Sequence, residues 1–154
     1  MNEMGKTFLL SLGVVLCACQ KQEPKPNVLV ILIDDAGYST FGFNGGEIET
    51  PNIDSLAHQG VICTDAHVVG SVSAPSRAML MTGRYGQRFG FECNLDDPDA
   101  GVPNEEETLG DIFRENGYAT AALGKWHLGL KPDMHPNEQG FEHFYGFLAG
   151  SRSY

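Results

Sequence analysis

The residues of this sequence that could do chemistry gather in three short stretches. Asp34 and Asp35 close the apolar run NVLVILI, Ser73 and Arg77 lie four apart in SVSAPSR, and Lys125 and His127 close a second apolar run. Adjacent carboxylates are costly to hold together without a cation, and their hard oxygens suit calcium, with magnesium the lesser fit. A turn or a helix cap would use the same pair, so the metal reading needs company. Ser73 beside a helix start has three readings open to it: a nucleophile, an anion-binding hydroxyl or a plain N-cap. Lys125 and His127 end a strand, and in open α/β sheets ligands bind beyond the carboxyl ends of strands.

Several familiar sites are excluded by spacing. No serine stands in a G-x-S-x-G elbow, so a serine hydrolase of that type is not supported. A phosphate-binding P-loop fails, because six residues separate Gly117 from Gly124-Lys125 and Trp126 replaces the hydroxyl residue. DDPDAG near Asp97 lacks the ligand spacing of an EF-hand loop.

The elements that must position these groups alternate in type. Asn27 to Ile33 predicts a strand buried on both faces, as in a parallel sheet covered by helices. TPNIDSLAHQG predicts a short helix with Thr50 as N-cap, Pro51 in the first turn and Gly60 past its end. Val61 to Val69 reads as a second strand. Pro75 opens the apolar-periodic stretch that Gly83 stops, placing Ser73 just before a helix N-terminus, where an anion is favoured. Arg84 to Gly101 has no periodicity and reads as loop. NEEETLGDIFRENG predicts a helix with Asn104 as N-cap and Gly117 as its stop. Tyr118 to Leu123 predicts another buried strand. Strand and helix signals in alternation indicate an α/β fold.

Composition narrows the class of partner. With 20 acidic against 10 basic side chains, the net charge of −10 offers nothing to nucleic acid or to an acidic membrane surface. An anionic substrate must therefore be drawn by local cations. At 42% hydrophobic and 19% charged, the chain belongs with soluble globular sequences.

The N-terminus reads as an export signal. A lysine precedes the apolar run Phe8 to Leu16, too short for a membrane span of about 20 residues and suited to a signal peptide. Leu16-Cys17-Ala18-Cys19 resembles a bacterial lipobox, with Cys19 the better lipidation site because bulky Leu16 precedes Cys17. An ordinary cleaved signal with incidental cysteines fits the same residues. The expected organisation is a lipoprotein-type signal over 1–19, a polar tether over 20–26 and a folded portion over 27–154. The protein would then be exported to the bacterial cell envelope, touching the membrane only through a lipid anchor. Cys63 and Cys93 alone remain in the folded portion and establish no disulfide framework.

SVSAPSRAMLMTGR resembles the first sulfatase signature, in which Cys or Ser stands two residues before a proline and four before an arginine. GYATAALGKWHLG, from Gly117 to Gly129, resembles the second. PNVLVILIDDAGY and GFEHFYGFLAGS resemble the family in the same order, so the likeness spans Pro26 to Tyr154. The resemblance is to the type I, formylglycine-dependent sulfatases of the alkaline-phosphatase-like superfamily. It implies a mixed sheet sandwiched by helices, here the N-terminal part of it, and hydrolysis of sulfate esters of glycans or aryl alcohols. Asp34, Asp35 and a formylglycine made from Ser73 would be ligands to calcium. Arg77 would brace the formylglycine, Lys125 would bridge it to the substrate sulfate, and His127 would hydrogen-bond its hydroxyl.

That chemistry explains why a plain serine is insufficient. A serine ester of sulfate would be a stable product, whereas the hydrate of an aldehyde has a second hydroxyl whose deprotonation releases the sulfate. Because the position is Ser and not Cys, the resemblance implies maturation by the anaerobic sulfatase-maturating enzyme. Members of the family are several times longer, and their later part supplies an Asp-Asn or Asp-Gln metal pair with a further lysine and histidine. A phosphodiesterase or phosphonate hydrolase of the same superfamily, or a non-catalytic remnant, shares the same opening motifs.

Overall fold

The computed structural model describes residues 24–94 and 97–153. The proposed signal, and with it Cys17 and Cys19, lies outside the described residues, as do residues 20–23 of the tether. The chain divides into two compact units, Met1–Ile33 and Asp34–Tyr154. In the first, residues 24–33 are exposed, with no helix or strand among them. The strand expected over Asn27 to Ile33 is therefore absent: its β-branched residues favour extended backbone, yet a strand also needs a hydrogen-bonded neighbour, and no ladder involves these residues.

The second unit begins with short 3-10 turns and then α1, Pro51–Gln59, as the sequence predicts. Thr50 closes its start by a different route from a side-chain cap: its hydroxyl donates to Asp54 Oδ1 at 2.7 Å and accepts from Gly42 N–H at 2.9 Å. Val61 to Val69 is not a strand. A turn at Thr64 and Asp65 breaks the apolar run, and His67 Nε2 lies 2.8 Å from Asp65 Oδ1 across it. Cys63 and Cys93 are both free thiols on the surface.

α2 covers Ser73–Thr82, so Ser73 is its first residue rather than the one before it. Ala74 and Ala78, one turn apart, are fully buried, and their small side chains let the helix lie close on the core. Gly83 ends it with φ 64°, its N–H donating to Met79 O at 2.9 Å, the left-handed stop that glycine adopts without strain.

α3 covers Leu109–Glu115, starting later than the Asn104 cap predicted. Thr108 outcompetes Asn104 because it forms a reciprocal box with Asp111: Thr108 Oγ1 accepts from Asp111 N–H at 3.3 Å and Thr108 N–H donates to Asp111 Oδ2 at 3.1 Å. Asn104 is drawn elsewhere, accepting from Gln139 Nε2 at 3.0 Å. Gly117, at φ 77°, turns the chain past the end of α3.

β1, Ala121–Lys125, pairs in parallel with β2, His143–Phe147, with Ala121 opposite His143 and Lys125 opposite Phe147. The pairing continues one step beyond the strands through Trp126 N–H to Phe147 O and His127 N–H to Leu148 O, each 2.9 Å. The expected strand over Tyr118 to Leu123 is thus shifted toward the C-terminus, because Tyr118 N–H is still bonded to Phe113 O in the turn after α3. It is also not buried on both faces: Leu123 is 77% and Tyr145 83% exposed, while Phe144 packs against the core.

That core joins Ala74, Ala78, Phe91, Val102, Trp126 and Leu128, with Phe141 and Phe144 against it. Trp126 meets Phe141 edge to face at 5.9 Å and donates its indole N–H to Met134 O at 3.0 Å. The start of α2 and the end of β1 are therefore packed on one cluster.

Candidate active site

The helical period places Ser73 and Arg77 on the same side of α2, since residues four apart are neighbours along a helix. At the end of β1, Trp126 occupies the core, leaving Lys125 and His127 on the other side. Between these elements Arg77 Nη1 donates to Lys125 O at 2.9 Å. Its second nitrogen, Nη2, reaches Asp34 Oδ2 at 3.3 Å, and Lys125 Nζ reaches the same oxygen at 2.7 Å. Arg77 and Lys125 have only 12% and 17% of their side-chain surface exposed, against 41% for Asp34. Two largely covered cations thus converge on one carboxylate oxygen.

These contacts set the charge states. The hydrogen bond from Lys125 holds the Asp34 carboxyl below its usual pKa, outweighing the opposing effect of partial burial, and the charges of Lys125 and Arg77 act the same way. His127 is pushed below the ordinary imidazole value of 6.5, first by burial and then by the charges of Lys125 and Arg77, with Asp34 opposing. It is a neutral imidazole at pH 7. Its Nδ1 lies 3.1 Å from Ser73 Oγ, so the ring can donate to or accept from that oxygen according to its tautomer.

Backbone strain marks the same places. Asp35 and His127, with φ 57° and 61°, are the non-glycine residues of positive φ among the described residues. Such conformations cost on the order of 1–3 kcal/mol each where the surroundings impose them. The positive φ of His127 falls just past the end of β1, and Gly150 gives its ring room: a Cβ at Gly150 would stand 2.6 Å from His127 Cε1 and Nε2.

The sequence-expected residues Asp34, Arg77 and Lys125 are therefore in mutual contact, and Ser73 and His127 are in contact with each other. Asp35 adjoins Asp34. Three further residues were not singled out by the sequence. Asn94 Oδ1 accepts from Ala74 N–H at 3.0 Å, and nothing in its aperiodic loop signals that. Arg84, the end of the SVSAPSRAMLMTGR stretch, forms an ion pair with largely buried Glu106, so it ties the end of α2 to the approach to α3. Gly150 carries no signal apart from being glycine.

Calcium prefers six to eight hard oxygens. Asp34 and Asp35 provide the right donor type, yet no group of three or more His, Cys, Asp or Glu side chains that could hold a metal occurs among the described residues. The donors here fit the ion in kind and not in number.

Comparison with known proteins decides the lineage. The Sulfatase family model matches residues 26–154. The chain belongs to the sulfatase family. Mouse arylsulfatase G is 42% identical to this sulfatase chain over 125 residues, covering 80% of this chain and 24% of that protein. The arylsulfatase of Klebsiella aerogenes is 33% identical over 162 residues, covering 100% of this chain and 35% of that protein. Crystal structures of Ps i-CgsB superpose with a TM-score of 0.82 at 47% identity, covering 85% of this chain and 30% of that one, and 0.76 at 48% for its complex with k-i-k-neocarrahexaose, covering 79% and 28%. The sulfatase chain therefore has the N-terminal portion of that α/β fold, and spans about a quarter to a third of the length of these relatives.

Proposed function

We propose that this chain contributes the formylglycine side of a sulfuric ester hydrolase active site. The observation that carries the reading is the joining of Ser73 to His127 at 3.1 Å, on the same two elements that bring Arg77 and Lys125 together around Asp34. A net negative chain has concentrated its covered cations where a sulfate ester, itself an anion, has to sit.

Each residue has a task that its position supports. Arg77 holds the start of α2 to the end of β1 and keeps positive charge beside the residue 73 side chain. Lys125 exchanges its contact with Asp34 for one with the substrate sulfate. His127, neutral at pH 7, is within reach to hold or pass a proton at the residue 73 oxygen. Oxidised to an aldehyde hydrate, Ser73 supplies one hydroxyl to take the sulfuryl group from the departing alcohol and a second whose deprotonation expels sulfate. Asp34, Asp35 and the modified Ser73 would hold part of a calcium shell, and the ion would supply charge neutralisation. Maturation falls to an anaerobic sulfatase-maturating enzyme, since the position is serine.

A sulfated carbohydrate is the substrate class we assign, with aryl sulfates as surrogate substrates. Support comes from the oligosaccharide in the Ps i-CgsB complex and from the signal-like N-terminus, which fits an enzyme lipid-anchored at Cys19 in the cell envelope and facing external polysaccharides. The test compares turnover of an aryl sulfate and an aryl phosphodiester by the full-length protein. Faster hydrolysis of the sulfate is expected. Preference for the phosphodiester would move the enzyme to its superfamily relatives, and no turnover of either by protein with a fully modified Ser73 would refute the catalytic reading.

A further inference from the structure

The start of α2 lacks a cap of its own. Val72 occupies the N-cap position with an aliphatic side chain that cannot accept from the first amides. Ser76 N–H is satisfied by Val72 O at 3.2 Å, and Pro75 has no N–H to satisfy. Ala74 N–H is taken by Asn94 Oδ1 at 3.0 Å, from twenty residues farther along the chain. That loop is anchored by Phe91, which is buried in the same cluster as Ala74 and Ala78 and donates its N–H to Gly86 O at 2.9 Å.

We infer that Asn94 is a positioning residue for Ser73: a cap delivered from a distant loop, which fixes the first turn of α2 without adding negative charge where the substrate anion binds. The inference rests on the reading of Ser73 and its neighbours as a sulfate ester site. Its physical content lies in the difference between Asn and Asp. Both cap a helix about equally well, and Asp would also complement the positive end of the helix. A carboxylate at residue 94, however, would be hydrogen-bonded one residue from Ser73 and would compete with the incoming sulfate for the same positive end. Neutral capping leaves that potential for the substrate.

The two substitutions N94D and N94A separate capping from charge. Thermal unfolding of the full-length protein and calorimetric titration with inorganic sulfate read each property independently of turnover. N94D is expected to unfold at the wild-type temperature and to bind sulfate on the order of ten-fold more weakly, the effect of one like charge at short range in a partly covered site. With an aryl sulfate its KM rises while kcat changes less. N94A is expected to unfold at a lower temperature and to lose kcat. Equal sulfate affinity in N94D and wild type, an unchanged unfolding temperature in N94A, or a wild type that binds no sulfate would each overturn the inference. Because the titration needs no turnover, finding Ser73 unmodified would refute the formylglycine chemistry while the N94D comparison still decides the role of Asn94.

Discussion

Asp34 Oδ2 receives Lys125 at 2.7 Å and Arg77 at 3.3 Å, so the carboxylate and the cations hold each other in place before any substrate arrives. Removing Lys125 takes away both the shorter contact and the cation assigned to the substrate sulfate. Lys125→Ala is expected to lower kcat/KM by about two to three orders of magnitude, as loss of one preorganised stabilising group does elsewhere. Lys125→Arg would not restore it, since a planar fork cannot reproduce a compact ammonium at one oxygen. Steady-state kinetics with an aryl sulfate checks both, and a fully active Lys125→Ala enzyme would remove Lys125 from the mechanism. Gly150 makes a subtler case. A methyl there must displace the His127 ring, so Gly150→Ala is expected to cut kcat while leaving KM and the unfolding temperature nearly unchanged. Equal kcat in the variant would show that the ring position is unimportant.

At the level of elements, α3 depends on its N-terminal box. Thr108 is almost wholly buried and also donates to Gln139 O at 2.7 Å, linking the helix start to the turn before β2. Thr108→Ala is expected to cost about 1–2 kcal/mol, measured as a lowered urea midpoint with unchanged slope. What the sequence told about the elements follows from where their information lies. α1 and α2 are written locally, in Thr50-Pro51 with Gly60 and in Pro75 with Gly83, and both helices form there. The start of α3 differs from the sequence expectation because Asn104 and Thr108 are both competent caps, each followed three residues on by an acid, Glu107 and Asp111, and the contact that engages Asn104 comes from Gln139, 35 residues away. Strands were harder still. Val61 to Val69 has strand composition, but Thr64-Asp65 makes a turn, and β2 was read only as part of a motif because its pairing partner lies 22 residues away. The candidate site was legible as far as its motifs reached, in Asp34, Asp35, Ser73, Arg77, Lys125 and His127. Asn94 and Gly150 act through tertiary contact and leave no local pattern.

For the whole molecule, the two-stranded parallel sheet is the informative feature. Parallel sheets are stable with both faces covered, yet Leu123 and Tyr145 stand largely open on one face of β1 and β2, and residues 28–33 carry exposed aliphatic side chains in the other unit. Exposed apolar surface of this kind seeks cover. The 154-residue chain expressed by itself is therefore expected to bind a hydrophobic dye such as ANS and to self-associate in light scattering, whereas a monodisperse, dye-free monomer would contradict that expectation. The same balance applies to the proposed site, where the two carboxylates would begin a calcium shell that needs more donors than they provide.

All of these roles converge on the chemical state of one side chain. The most direct test is the mass spectrum of the peptide carrying Ser73, taken from protein produced in its native host under anaerobic growth. The account predicts a residue lighter than serine by two hydrogens, with the aldehyde trapped by a hydrazine reagent. Unmodified serine throughout the active preparation would contradict it.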